Sequence, residues 1–485
     1  MISPSSWMPC SPTRGYARSA EFQAHFSGPT FPVSHKVHKI SRVGESRRQC
    51  HGPPVSQPTS SPTTPLAIPD YRKFWLARFA AVIATNGMVV IIGYQLYDVA
   101  RSEYAMSISQ ASFQLGLLGL AQFIPILLLT PIAGVVADRF DRRYVAATSM
   151  SIDLCIALGL GTVTALGIRS LPVLFGFAAL HGAVRVFQGP ALSAIAPNIV
   201  PVALIPRAIA LNSIAWQAGA VIGPASFGFL FASSHALPYW TSTVLMAVAA
   251  TSLLSIRSLP PTLGDARKAH PLQQIVGGFQ FVWNDRFLLG CITLDLFAVI
   301  FGGATALFPV FARDILHVGP EGLGQLRAAP AVGAAIVALT LSFRPLEHNV
   351  GVKMLAAVGV YGVATIVFAY SRELLLSLAF LFVLGAADMV SVFIRSSLIQ
   401  LNTPDDMRGR VSATSGLAVS ASNELGEMQS GVAAALLGAT GAVVFGGAAA
   451  ILVTAMWSKL FPEIRRARTF APQYRPKDRT RETAP

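Results

Sequence analysis

This chain of 485 residues is 53% hydrophobic and only 12% charged, about half the charged fraction usual in a soluble protein of its size. Its formal net charge of +14 would suit a nucleic-acid partner, but the basic residues lie in two tails and in short connections between apolar runs, where membrane topology accounts for them. The four cysteines, Cys10, Cys50, Cys155 and Cys291, show neither CxxC nor Cys/His spacing, so neither a disulfide framework nor a metal site is indicated.

Residues 1–68 are rich in Ser, Pro, Arg and His, poor in acids, and hold no apolar h-region. They read as a disordered tail, with an organelle transit segment as the sharper alternative. From Tyr71 onward the chain is built of apolar runs of about 20 residues, the length at which a helix crosses a hydrocarbon core about 30 Å thick. Twelve spans are expected, with cores at 74–97, 111–136, 144–167, 172–196, 209–232, 238–256, 287–311, 322–342, 352–370, 374–399, 412–436 and 439–461. The expected fold is an all-α integral membrane protein of twelve helices in two pseudo-symmetric six-helix bundles, at 69–257 and 286–461. Between them, 258–285 is a central loop in which "PLQQIVGGFQFVWND" has apolar residues at helical spacing, as in an interfacial helix; Phe279, Phe281 and Trp283 are its aromatic anchors. A basic tail, 462–485, follows the last span.

Basic residues favour one side. Arg72, Arg142, Arg143, Arg207, Arg257, Arg344, Arg408 and Arg410 precede span 1 or lie in even-numbered loops, whereas Arg101, Arg169, Arg313, Arg327 and Arg372 mark the opposite side. The positive-inside rule then places both termini in the cytoplasm. The two halves also repeat at a constant offset of 203: Pro201 pairs with Pro404, Arg207 with Arg410, Gly223 with Gly426, and Gly228 with Gly431. Parallel six-helix repeats of this kind occur in secondary transporters.

Between spans 2 and 3 stands "GVVADRFDRR", in which Gly134, Asp138, Arg139, Arg142 and Arg143 match the pattern G-x-x-x-D-R-x-G-R-R; Asp141 stands where that pattern has Gly. Over residues 70–465 the chain resembles the major facilitator superfamily. With "FGGATALFPVFARDIL" in span 7 and "TPDDMRGRV" (Arg408, Gly409, Arg410) before span 11, it is similar to the branch of enterobactin-type siderophore exporters and macrolide-efflux-like permeases. "GAVIGPASFG" in span 5 resembles the G-x-x-x-G-P motif of proton-antiport exporters: Gly219 and Gly223 allow close helix approach, and Pro224 bends the helix and frees a carbonyl. The resemblance implies that Asp138 is a conformational latch, meeting the N-terminus of span 11 near Val411–Ala413. The second half's counterpart, "SFRPLEHNVG", lacks the Asp-Arg pair, so the latch is one-sided.

Ionisable groups at bilayer depth are costly, and each is a candidate substrate or proton site. Arg185 and Asp388 differ by the repeat offset and are expected to face each other across the cavity, either as an ion pair that opens in the cycle or as a static one. Glu424 and Glu427, three residues apart, share a helix face and suit proton exchange, since two adjacent carboxylates resist joint ionisation. Asp295 is a further cavity candidate. Asp153 is read as structural, His181 as a satisfied helix contact, and Arg395 as a side chain that snorkels to lipid phosphate. Arg78 and Asn86 lie on adjoining faces of span 1; Phe123, Trp216, Phe301 and Phe393 are candidate linings for lipophilic cargo.

No P-loop, Ser/His/Asp or HExxH pattern is present, so no ATP-driven pump, enzyme or cofactor is expected. The expected protein is a monomeric multi-pass exporter of the bacterial inner membrane, moving a small-molecule substrate (a siderophore or a hydrophobic drug such as a macrolide) against protons. The alternative is a non-transporting sensor or scaffold of the same fold.

Overall fold

The computed structural model describes residues 64–258, 271–344 and 346–470; the expectations for nearly all of the N-terminal tail, for 259–270 of the central loop and for the end of the basic tail lie outside the described residues. All its regular elements are helical. The first half holds α1 (Pro69–Ser102), α2 (Ile108–Arg139), α3 (Arg142–Ala165), α4 (Leu171–Ile199), α5 (Ile205–Ser233) and α6 (Leu237–Leu254). After α7 (Pro271–Asn284) come α8 (Arg286–Gly302), α9 (Gly319–Phe343), α10 (Val350–Tyr370), α11 (Leu374–Leu401), α12 (Asp405–Leu460) and the short α13 (Pro462–Arg466). Eleven helices among the described residues are long and apolar enough to cross a bilayer. The last of these, α12, is broken at Gly438, whose φ of 74° and ψ of 165° suit a residue without a Cβ. The break divides it into 405–437 and 439–460, each of span length, so the twelve expected spans meet eleven helices, the last of them broken at the gap expected between spans 11 and 12.

Local chemistry explains the helix starts. Ser107 and Gln110 form a reciprocal capping box on α2, at 3.2 and 3.0 Å. The Asp141 carboxylate accepts from the Arg143 N–H at 3.0 Å and caps α3, so the Asp in place of the pattern's Gly has a structural task. Asp285 caps α8 through the N–H groups of Phe287 and Leu288. Beyond α8 the chain loses helical regularity: Ala304–Leu307 is a 3₁₀ turn and Phe311–Ile315 a π-helical turn.

Burial differs sharply between the two ends of the bundle. At the end carrying the α1–α2, α3–α4 and α5–α6 connections, one apolar cluster runs through both halves, from Tyr97, Leu115 and Phe231 to Phe308, Phe311, Phe368 and Ala434. At the other end the core is split. Tyr71, Phe74, Met150, Ile195 and Leu253 belong to a cluster of first-half residues, and Leu288, Met354, Ile394 and Trp457 to a cluster of second-half residues. The halves are therefore welded at one end and parted at the other.

Glycines make the weld. A Cβ on Gly116 of α2 would lie 2.9 Å from the Gly431 Cα of α12, and one on Gly228 of α5 would lie 3.0 Å from the Gly324 Cα of α9. Such backbone approach is how helices associate where lipid removes the hydrophobic drive. At the parted end, a Cβ on Gly134 would meet nothing within 4 Å, so the close packing expected there is absent in this conformation. Gly228→Leu should force α5 and α9 apart at a cost of about 1–3 kcal/mol. The expected outcome is a lowered thermal unfolding midpoint in detergent, with Gly359→Leu, whose Cβ meets nothing within 4 Å, unchanged.

Candidate functional site: a charged cavity between the halves

A cavity of about 590 Å³ lies between the halves at the parted end. It falls within the range of small-molecule sites. Its first-half wall comes from α1, α2, α4 and α5, and its second-half wall from residues 413–424 of α12. Arg78, Asn86, Arg185, Gln188 and Trp216 face it from the first half, and Asn423 and Glu424 from the second. The Arg78 guanidinium stands 5.2 Å from the centre of the Trp216 ring, and its Nε is buried without a hydrogen-bond partner. Three of the sequence candidates thus share one wall, Arg78 stacked on Trp216, and Asn86 two turns further along α1.

Where the cavity narrows toward the weld, four charged groups from three helices meet. Glu424 lies within electrostatic reach of Glu427, Arg185 and Arg327. Glu427 packs on Gly119 of α2, where a Cβ would stand 3.5 Å from its Oε2. Arg327 projects from the middle of α9 over the Phe308 ring, 5.6 Å from its centre. Counted from sequence as a loop charge on the far side, Arg327 is a membrane-depth residue of the site. "GLGQLRAAPAVG" carried the signal: an arginine flanked on both sides by small and apolar residues within a span.

The structure does not join Arg185 to Asp388. Arg185 lies within electrostatic reach of Glu424, across the cavity, whereas Asp388 lies within reach of the second-half groups Asp295, Arg395 and Tyr361. Equivalent positions in the repeats do not face each other here, because α4 lines the opening while the Asp388 face of α11 packs on its own half. Asp295 and Arg395 form a direct ion pair between α8 and α11, with only 8% and 6% of the two residues exposed. Arg395 therefore does not snorkel to lipid, and Asp295 is not a cavity wall. In the first half, His181 Nδ1 lies 2.6 Å from Asp153 Oδ1 in full burial. Of the aromatic candidates only Trp216 faces the cavity; Phe301 stacks on Phe297, and Phe393 meets Phe470 edge-on.

The motif residues are spread over different tasks. Gly219 packs on Val82, and Gly223 on the Ile83 carbonyl, 2.7 Å from a built Cβ, so both serve the α1–α5 contact within the first half. The Pro224 carbonyl meets Gly324 across the weld, at 2.7 Å from a built Cβ. Arg143 donates to the Ile256 carbonyl at 2.6 Å and pairs with Asp141 at 3.5 Å, tying α3 to the end of α6. Arg139 is exposed and Arg142 half-buried; the side chain of Asp138 lies outside the described residues. Arg408 donates to the Gln400 carbonyl, Gly409 has open space, and Arg410 lies under α7, whose Gly278 rests on the Arg410 carbonyl.

At the opposite end a charged clamp reinforces the weld. The Tyr97 hydroxyl donates to Asp314 at 2.5 Å, Arg101 pairs with the same carboxylate at 3.3 Å, and Arg313 pairs with Asp98 at 3.2 Å. Each half contributes one acid and one arginine, and the second-half pair sits on the π-helical turn.

Residues 60–476 match the profile of the transmembrane secretion effector family. The chain belongs to that family, within the major facilitator superfamily. It is 28% identical over 416 residues to the enterobactin exporter EntS of Citrobacter koseri, covering 82% of this chain and 94% of the relative. With EntS of Escherichia coli O1:K1 the identity is 27% over 421 residues, covering 84% and 95%. The fold is that of solved transporters: a D-xylose–proton symporter superposes with a TM-score of 0.61 at 16% identity, covering 81% of this chain and 98% of the symporter. A bacterial homologue of the human lysosomal transporter Spinster, in an inward-facing and unoccupied conformation, gives 0.58 at 16% identity, covering 81% and 96%.

Removing Arg327 would leave Glu424 and Glu427 facing Arg185 alone. The four side chains are half-buried, so losing one partner costs less than the ~3–5 kcal/mol of a fully buried pair. Arg327→Gln should lower the thermal unfolding midpoint markedly, and the double variant Arg327→Gln/Glu427→Gln should recover most of the loss; equal instability of single and double variants would remove the electrostatic explanation.

Proposed function

We propose that this membrane transporter exports small molecules by alternating access, coupled to proton antiport, across a bacterial cytoplasmic membrane. Its cargo class is a siderophore of the enterobactin type, with hydrophobic drugs such as macrolides as the second class. The observation that carries the reading is the charged cavity, parted at one end and welded at the other. Its apex offers carboxylates of α12 to arginines of both α4 and α9. A site of this kind binds a polar aromatic cargo and exchanges protons with the same water. The EntS relatives, exporters of enterobactin by name, support the cargo class. No group in this reading makes or breaks a covalent bond, so the protein is a carrier and not an enzyme.

In this reading the parted end is cytoplasmic, with both termini there, following the excess of arginines in the loops of that end. The break at Gly438 is then a reversal, giving twelve crossings, and the monomer suffices. α7 lies in the membrane interface, where Val276, Phe279 and Trp283 are exposed along one side. Export then needs the opposite state, in which the clamp opens and the parted end closes. In this reading Asp138, with Arg139 and Arg142, would hold that closure against the start of α12, where the helix dipole favours an acid.

Proteoliposomes containing the protein, given radiolabelled catecholate siderophore and an imposed pH gradient, should accumulate cargo, and collapsing the gradient should abolish accumulation. Absence of gradient-driven movement for both catecholates and macrolides would sink the antiport reading. Spin-label distances across the two ends give a second check. Asp314→Asn should raise, and Asp138→Asn should lower, the fraction of molecules open at the clamp end.

A further inference from the structure

We propose that the Asp153–His181 pair is a proton-binding site in the first half, separate from the cavity carboxylates and gated by Gln188. α4 places His181 and Gln188 two turns apart on one face, and both reach the same carboxylate of α3. His181 Nδ1 lies 2.6 Å from Asp153 Oδ1, and Gln188 Nε2 donates to Asp153 Oδ2 at 3.2 Å. Asp153 and His181 are both 0% exposed. With the carboxylate ionised it can only accept, which puts the imidazole proton on Nδ1 and leaves Nε2 with a bare lone pair. Nε2 is buried and has no hydrogen-bond partner. The site thus holds an uncompensated buried charge beside an unused acceptor, which is a vacancy for one proton. Taken up there, the proton neutralises the pair, as carboxylate with imidazolium or as acid with imidazole.

Nothing else nearby supplies the missing charge. α3 carries no other charged residue between Arg143 and its end, and α2 none before Asp138. What α2 presents is the neutral, buried Gln122, against whose backbone Gly182 packs. The only charged residue of α5 is Arg207, near its start. Arg185 of α4 and Arg78 of α1 both face the cavity, and the other cations of α1, Arg72, Lys73 and Arg101, stand in its first and last turns. Gln188 is the connection: it holds Asp153 Oδ2 and at the same time lines the cavity. Turned toward cargo or water, its amide uncovers Oδ2, and the proton passes from cavity water to the pair and back by the same route. The site's use in transport rests on the antiport reading; its existence does not.

Histidine-selective ¹⁵N solid-state NMR of the full chain in lipid nanodiscs tests it, with His181→Gln assigning the signal and Gln188→Ala as an independent assignment. The expected result is a change in His181 protonation between pH 5 and pH 8, a midpoint moved by about one unit or more in Asp153→Asn, and proton exchange with water at least ten-fold faster in Gln188→Ala. A His181 signal constant across that range in the wild type would overturn the proposal and leave a structural pair. In proteoliposomes, His181→Gln of unchanged thermal midpoint should alter the pH profile of export. A titrating His181 in a protein that moves no cargo under a gradient would support the site and defeat antiport; gradient-driven export with a silent His181 would do the reverse.

Discussion

The constraint on which this structure depends is the close approach of helix backbones at one end of the bundle. Between helices in lipid, apolar side chains gain little by meeting each other, and backbone proximity at small residues supplies the contact. Here two crossings do this work, α2 on the second-half helix α12 and α5 on α9. They obey the internal repeat. Gly228 and Gly431, equivalent at the offset of 203, each touch the opposite half, at Gly324 and Gly116. Gly223 and Gly426, also equivalent, each pack inside their own half, on the carbonyls of Ile83 and Val299. One glycine of each helix thus binds it to its own bundle, and a second, five residues on, binds it to the other. A helix held in this way can pivot at the second glycine while remaining part of its bundle through the first.

Charges at membrane depth sort by the same division. Asp295 with Arg395, and Asp153 with His181, are paired within a half, where their partners travel with them. Glu424 also interacts with Arg185, which lies across the boundary on α4 of the first half, whereas Arg327 and Glu427 belong to its own half. Pairing within a rigid half fixes geometry at little cost to motion. Pairing across the boundary makes electrostatic energy depend on how far the halves are parted, so protons or cargo that alter this cluster also alter the balance of conformations.

Much of the fold was legible in the sequence, because helix length against bilayer thickness is nearly decisive; the spans, the middle segment and the repeat all follow from it. The break at Gly438 falls in the gap expected between the spans at 412–436 and 439–461; what the run did not show is that a single glycine of positive φ makes the whole connection. In the site, Arg78, Arg185 and Glu424 were legible as charges within spans. Arg327 was missed although it lies inside the span expected at 322–342, because the charge count set it among the loop arginines of the far side. The Arg185–Asp388 pairing failed for another reason: a repeat fixes which positions are equivalent, but rotation about the pseudo-axis sets equivalent positions apart as readily as together. Arg395 failed because distance from a helix end does not reveal a partner, and Asp295 on α8 supplies one.

The stretch Gly134–Arg143 shows how one motif divides its labour. Asp141 and Arg143 act within the first half, capping α3 and tying it to the carbonyl of Ile256. They set the angle at which α2 ends and α3 begins. Gly134 and Arg139 stand at the parted end, with space around the glycine and the arginine exposed. The motif is therefore half structural brace and half free surface in this conformation. Its counterpart is the clamp at the far end, where Asp98, Arg101, Arg313 and Asp314 supply two acids and two arginines in mutual contact. If both ends were clasped at once the cavity would be sealed and the halves immobile. With one set of charges engaged and the other exposed to water, the cost of opening an ion pair at one end is offset by forming contacts at the other, and neither state need be deeply trapped.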